Sequence, residues 1–106
     1  MPNENRDIFF TEHELKQALT GFAARKGAKF KVENINDFLV NHKALAIAMK
    51  VFDPTVQKEG TIKFTNPEIA AAMMGYCMQL KIPLPRSGKK SLQTDGKELF
   101  LNIKVS

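Results

Sequence analysis

The chain has no tryptophan, one tyrosine, one cysteine and two histidines in 106 residues. Each scarcity removes a class of chemistry. The lone cysteine, Cys77, rules out an internal disulfide, and its apolar surroundings mark it as a buried structural thiol rather than a reactive one. His13 falls in the first turn of an expected helix and His42 in an expected hairpin turn. Neither has a Cys or carboxylate at metal-ligand spacing, so no metal centre and no cofactor is expected. No apolar run reaches the roughly 18 residues a membrane span requires. Met1 to Asp7 lack the basic and apolar regions of a secretory signal, which makes cytoplasmic residence the expectation. There is also no zinc-finger ligand set, no basic-glycine-aromatic signature of RNA-binding strands and no evident recognition helix.

What is present is ordinary globular composition, with 43% hydrophobic and 25% charged residues, and an excess of positive charge, formally +5. Residues 1–54 carry eight basic and seven acidic side chains and residues 55–106 carry eight and four, so most of the excess lies in the second half. Such a surface favours nucleic acid, another polyanion or an acidic protein, although the same excess also serves solubility.

Read against itself with an offset of 54, the chain matches without a gap. Ile8, Phe10, Thr11, Glu14, Ala18, Gly21, Lys43, Leu45, Lys50 and Val51 fall on Ile62, Phe64, Thr65, Glu68, Ala72, Gly75, Lys97, Leu99, Lys104 and Val105. That is ten identities in forty-four positions, where chance gives roughly one in sixteen. Either half alone would bury too little surface to be more than marginally stable. The expectation is therefore one domain, 1–106, made of two repeats at about 7–52 and 61–106 joined by a polar connector at 53–60.

The local signals agree between the copies. Thr11 and Glu14 form a capping box and Phe10 and Leu15 a hydrophobic staple, so a helix should run from about Glu12 to Lys26, stopped by Gly27. Thr65 with Glu68 and Phe64 with Ile69 repeat the device, with Pro67 in the first turn where its missing donor costs nothing. The second helix should end under the influence of Pro83, and its nearly all-round apolar surface from Ile69 to Leu80 makes it the expected central element. Gly21 and Gly75, inside these helices, suggest close helix packing.

Lys43 to Phe52 has helical propensity but alternating periodicity. Its partner Lys97 to Val105 alternates more plainly after the hairpin signal Asp95-Gly96, which decides strand for both. Two-residue turns at Asn41-His42 and Asp95-Gly96 then set Phe38 opposite Leu45 and Leu92 opposite Leu99. Phe30 with Val32 and Ile82 with Leu84 read as further extended segments. The expected fold is α+β: a duplicated β-α-β-β-β unit with pseudo-twofold symmetry and two helices packed on a mostly antiparallel sheet.

Catalysis finds little support, because the capping boxes already account for Glu14 and Glu68. The segment Ser87 to Ser91 is not a phosphate-binding loop of the nucleotide-hydrolysing kind, since it follows a helix and has Pro83 where the first glycine belongs. The sharpest candidate is a proline-stiffened polyanion-binding loop formed by Lys81, Arg86, Gly88, Lys89 and Lys90, with a weaker counterpart in Arg25, Lys26, Lys29 and Lys31. The expected function is a small non-catalytic module binding nucleic acid or another polyanion through these loops. The alternative is a protein-protein adaptor or self-associating protein using Met73, Met74, Met78 and an exposed sheet edge.

Overall fold

A computed structural model describes residues 4–28, 30–84 and 88–105. In chain order the elements are β1 (Glu4–Phe9), α1 (Glu12–Arg25), a 3-10 turn (Val32–Asn34), β2 (Ile35–Asn41), β3 (Ala46–Asp53), β4 (Lys58–Phe64), α2 (Asn66–Gln79), β5 (Lys89–Thr94) and β6 (Leu99–Val105). The fold is α+β, with two helices and two antiparallel three-stranded sheets of order β2-β3-β4 and β1-β6-β5.

The helix starts follow from the caps. Thr11 Oγ1 accepts from the Glu14 N–H at 3.1 Å, and Glu14 Oε1 accepts from the Thr11 N–H at 3.0 Å. At α2, Glu68 Oε1 accepts from both the N–H and the hydroxyl of Thr65, each at 2.9 Å. The helix ends also match. Ala28 N–H bonds Ala23 O and Ile82 N–H bonds Cys77 O, the six-residue closure of a left-handed C-cap. Gly27 takes the left-handed conformation in the first (φ 97°) and Lys81 in the second (φ 58°). The second helix therefore ends at its own cap, four residues before Pro83, rather than through it.

Buried residues from both halves form one core, including Leu15, Leu19, Ile47, Met49, Ile69, Met73, Leu99, Leu101 and Ile103. The helices pack antiparallel: Gln17 accepts from the Tyr76 hydroxyl at 2.9 Å, while Lys26 at the far end pairs with Glu68 at 3.6 Å. Gly75 lies under the Arg25 guanidinium, 2.6 Å from where a Cβ would stand, whereas a Cβ at Gly21 would meet nothing within 4 Å. The atoms nearest a Gly75 Cβ belong to the end of a flexible side chain, so close helix packing accounts for neither glycine.

Several expectations are corrected. The segments after the helices are not strands, so each half reads β-α-β-β: Pro83 lacks a donor, the Ile82 N–H is spent on the helix cap, and residues 32–34 form a turn in which Asn34 Oδ1 accepts from the Lys31 N–H. The connector shrinks to the turn 54–57, because β4 begins at Lys58 and pairs with β3. The hairpin turns have four residues rather than two. Asn41 Oδ1 accepts from Lys43 and Ala44 N–H, and Asp95 Oδ1 from Lys97 and Glu98 N–H, so a side chain ties each loop. Phe38 consequently faces Met49, and Leu92 faces Leu101. Both slips are even, which keeps the side chains of residues 37–41 and of β5 on their expected faces, while a bulge between Ile35 and Asp37 breaks the alternation at the start of β2.

The ladders also show that the ungapped offset fails in the last strand. Ile62 faces Met49, while Ile8, 54 residues before Ile62, faces Leu101, which lies 52 residues after Met49. Likewise Phe38 and Leu92, 54 apart, face Met49 and Leu101. Strands β1 and β4, β2 and β5, and the helices correspond at 54, but β3 and β6 correspond at 52. Lys50 and Val51 are thus structurally opposite numbers of Asn102 and Ile103, not of Lys104 and Val105.

The molecule is elongated, 55 × 27 × 18 Å, with a radius of gyration of 14.6 Å against about 13 Å for a compact chain of this length. The sheets share no ladder. They touch where His42 Nδ1 meets Thr94 Oγ1 at 2.7 Å.

Candidate functional site

In the sheet β1-β6-β5 alternation sends Ile8, Leu92, Leu101 and Ile103 to the core and leaves the other face open. That open face is organised in rows. Phe9 stands opposite Phe100, with ring centroids 4.7 Å apart and Phe9 49% exposed, and Gln93 flanks Phe100 on the other side. In the next row Asn102 lies between Asp7 and Ser91 and donates to Asp7 Oδ1 at 2.7 Å and Asn5 Oδ1 at 2.8 Å. The last row sets Asn5, Lys104 and Lys89 side by side. Like charges directly opposite each other in a sheet are destabilising, so the Lys89–Lys104 pair is a cost to folding that an anion would relieve. An aromatic row and a lysine row about 13 Å apart, with Asp7, Asn102 and Ser91 between them, form a surface that can stack flat rings at one end and neutralise negative charge at the other.

The equivalent places in β2-β3-β4 carry none of this. Phe9 and Phe100 correspond to Lys63 and Ala48, and Lys104 to Phe52; a bulge between Ile35 and Asp37 turns Ile35 inward against Val51, so nothing in β2 stands where Lys89 does. That face presents Leu39, 59% exposed, and charges of both signs in Asp37, Lys50, Glu59 and Lys63.

The basic residues expected to form two loops are dispersed. Lys89 is exposed on the open face of β5, whereas Lys90 points to the opposite face and donates to Gly88 O at 3.3 Å. Gly88 is a packing position: a Cβ there would meet Ile103 Cγ2 at 3.0 Å and Val105 Cγ2 at 3.1 Å. Lys81 is exposed after α2. Lys26 pairs with Glu68 and lies 4.8 Å over the Phe22 ring, Arg25 lies across Gly75, and Lys31 is exposed. Since the helices are antiparallel, the segments after α1 and after α2 leave from opposite ends of the pair. Arg86 and Lys29 lie outside the described residues. Of the methionines, Met73 is fully buried and Met78 is 70% exposed.

Sequence reasoning passed over Phe9 and Phe100. One signal was available: three consecutive apolar residues, Ile8 to Phe10, must send at least one to the open face of a strand. Their partnership was not readable, because it joins strands from the two ends of the chain.

The titratable groups with altered affinity lie elsewhere. The Glu68 carboxyl is held below the usual range, chiefly by the Thr65 N–H, then by the Thr65 hydroxyl and Lys26. Asp95 is lowered by the N–H groups of Glu98 and Lys97. Burial raises the Cys77 thiol. Among the described residues no group of three His, Cys, Asp or Glu side chains is placed to hold a metal ion, and no helix is long and apolar enough to cross a membrane. No family model, no curated protein and no solved structure matches the chain.

Proposed function

We propose that the protein is a small non-catalytic module that binds single-stranded nucleic acid on the open face of β1-β6-β5. The observation that carries this reading is the pairing of exposed Phe9 with half-buried Phe100 on a sheet that also displays Lys89 and Lys104. Stacking of bases on aromatic side chains, joined to a positively charged track for the backbone, is how single strands are held with little regard to sequence. Gln93, Ser91 and Asn102 add hydrogen-bonding groups between the two rows. Lys81, exposed after α2, adds further positive charge in the second half of the chain. Residence in the cytoplasm, where single-stranded RNA is accessible, accords with this role.

The reading includes an origin by tandem duplication, with repeats at about 7–52 and 61–106 and a pseudo-twofold axis between them. Helices that begin and end 54 residues apart, and an exchange in which β1 completes the sheet of β6 while β4 completes that of β3, support it. The two-residue slip between β3 and β6 is then a two-residue deletion within the second hairpin. A second reading, docking of a protein partner or self-association, rests on Met78 and Leu80, exposed by 70% and 53% at the end of α2.

Anisotropy of a labelled twelve-nucleotide single strand tests the proposal. The expected result is binding that weakens steeply with salt, is stronger than that of the matching duplex, and is lost by roughly tenfold or more on Phe9→Ala or Phe100→Ala. Equal competition by duplex or heparin, with both variants unchanged, would overturn it. Salt-insensitive oligomers in light scattering that Met78→Ser disperses would favour the second reading.

A further inference from the structure

The register between the two sheets exposes an unfilled site. In β1, Arg6 faces inward opposite Ile103, and its guanidinium donates to the Pro83 carbonyl, within the segment that follows α2. Its opposite number in β4 is Gly60, which faces Val51, itself the counterpart of Ile103. Where Arg6 fills the space in one half, the other half has a cavity of about 390 Å³ beside Gly60, within the range of small-ligand pockets.

The walls correspond residue by residue. The cavity is lined by Ala28 and Phe30 from the segment after α1, by Val51 from β3 and by Ile62 from β4. Their counterparts in the other half are Ile82, Leu84, Ile103 and Ile8, of which Ile103 pairs with Arg6 while Ile82 and Leu84 flank the Pro83 whose carbonyl Arg6 binds. One wall differs in kind: Asp53 lines the cavity, and the matching place in β6 is Val105. Asp53 Oδ1 accepts from the Thr55 N–H at 2.9 Å, which orients the carboxylate and leaves further lone pairs on it. The pocket therefore has the apolar sides that suit a methylene stem and, unlike its twin, a carboxylate suited to a planar cation. The twin is an imperfect fit, since Arg6 Nε is buried without a partner.

We infer that this cavity is a binding site for a guanidinium group on an aliphatic stem, an arginine side chain presented from outside the chain, held by apolar contact along the stem and by Asp53 at the head. The chain's own Arg6 shows which group the surrounding architecture accepts. The site is separate from the aromatic sheet face and does not depend on nucleic-acid binding.

Nuclear magnetic resonance titration of the intact protein with N-acetyl-arginine amide tests it. The amides of Gly27, Ala28, Gly60 and Thr61 should shift saturably, while the neutral citrulline analogue and the lysine analogue bind at least about tenfold more weakly. Asp53→Asn should weaken the arginine probe about tenfold, the loss of one charge-assisted hydrogen bond. Gly60→Arg, which supplies its own guanidinium, should abolish binding and raise the melting temperature. Should Gly60→Arg fail to give a folded spectrum, the Asp53→Asn and citrulline comparisons decide alone. Arginine and citrulline probes of equal affinity, shifts that persist in folded Gly60→Arg, or no saturable shift would each overturn the assignment.

Discussion

The sheet β2-β3-β4 is one uninterrupted stretch of chain, residues 35–64, in which every strand pairs with its neighbour in sequence. The sheet β1-β6-β5 has the same plan, but its third strand comes from the other end of the chain, so it closes only when residues 4–9 find residues 100–105. Closing that long loop carries an entropic cost the meander avoids. The same strand order is thus reached once by local contacts and once by the most distant ones available. The faces diverge as well: the locally built sheet exposes Leu39 and mixed charges, the distantly closed one an aromatic pair and paired lysines. Two sheets of one plan have kept their buried faces alike and let their open faces differ, as expected when packing constrains one side and solvent the other.

The largest effect should come from the shared core. Met49 and Leu101 hold equivalent central positions and are both fully buried. Leu101→Ala and Met49→Ala should each lower stability by about 2–5 kcal/mol in urea unfolding. A cost below about 1 kcal/mol at either would break the equivalence of the two sheets. The open faces should separate in the opposite way: Phe9→Ala reduces single-strand affinity roughly tenfold or more, while Leu39→Ala on the other sheet leaves it unchanged. Equal losses would assign binding to neither face.

The helix ends sharpen the comparison at a smaller scale. Gly27→Ala forces a side chain into the left-handed region and should cost about 1 kcal/mol, whereas Lys81→Gly relieves the same strain in the other half and should stabilise by up to about 1 kcal/mol in thermal melts. Gly21→Ala should stabilise by about 0.5–1 kcal/mol, since helical glycine carries that penalty and the space is open. Gly75→Ala should gain less, because Arg25 must move. The smallest effect is in acid. Glu68 and Asp95 are depressed in the folded state. The stability they contribute is therefore fully present above their unfolded values and is lost as pH falls through the folded ones. The melting temperature should decline below about pH 4, and less so in Glu68→Gln and Asp95→Asn; unchanged slopes would remove both groups from the account.

Both helices were legible in the sequence because their signals are local: Thr11 with Glu14, Thr65 with Glu68, and Gly27 act within a single turn. The strand character of residues 46–53 was legible only by comparison with residues 99–105, since alanine-rich composition argued for helix. Beyond the bulge in β2, inward and outward faces survived the register errors because strand alternation has a period of two. Of the candidate residues, Lys89 lies on the open face, Lys90 points to the other face and donates to the Gly88 carbonyl, and Gly88 packs against Ile103 and Val105.

By itself, then, the amino-acid order determined the two helices, their N-terminal caps and the alternation of the hairpin strands, all properties set within a few residues by backbone donors and periodicity. Tertiary structure alone decided that six strands divide into two sheets, that β6 sits two residues out of step with β3, that Phe9 meets Phe100, and that Arg6 fills a space Gly60 leaves open. Those outcomes depend on which distant surfaces bury the most apolar area together, and no local signal encodes that sum.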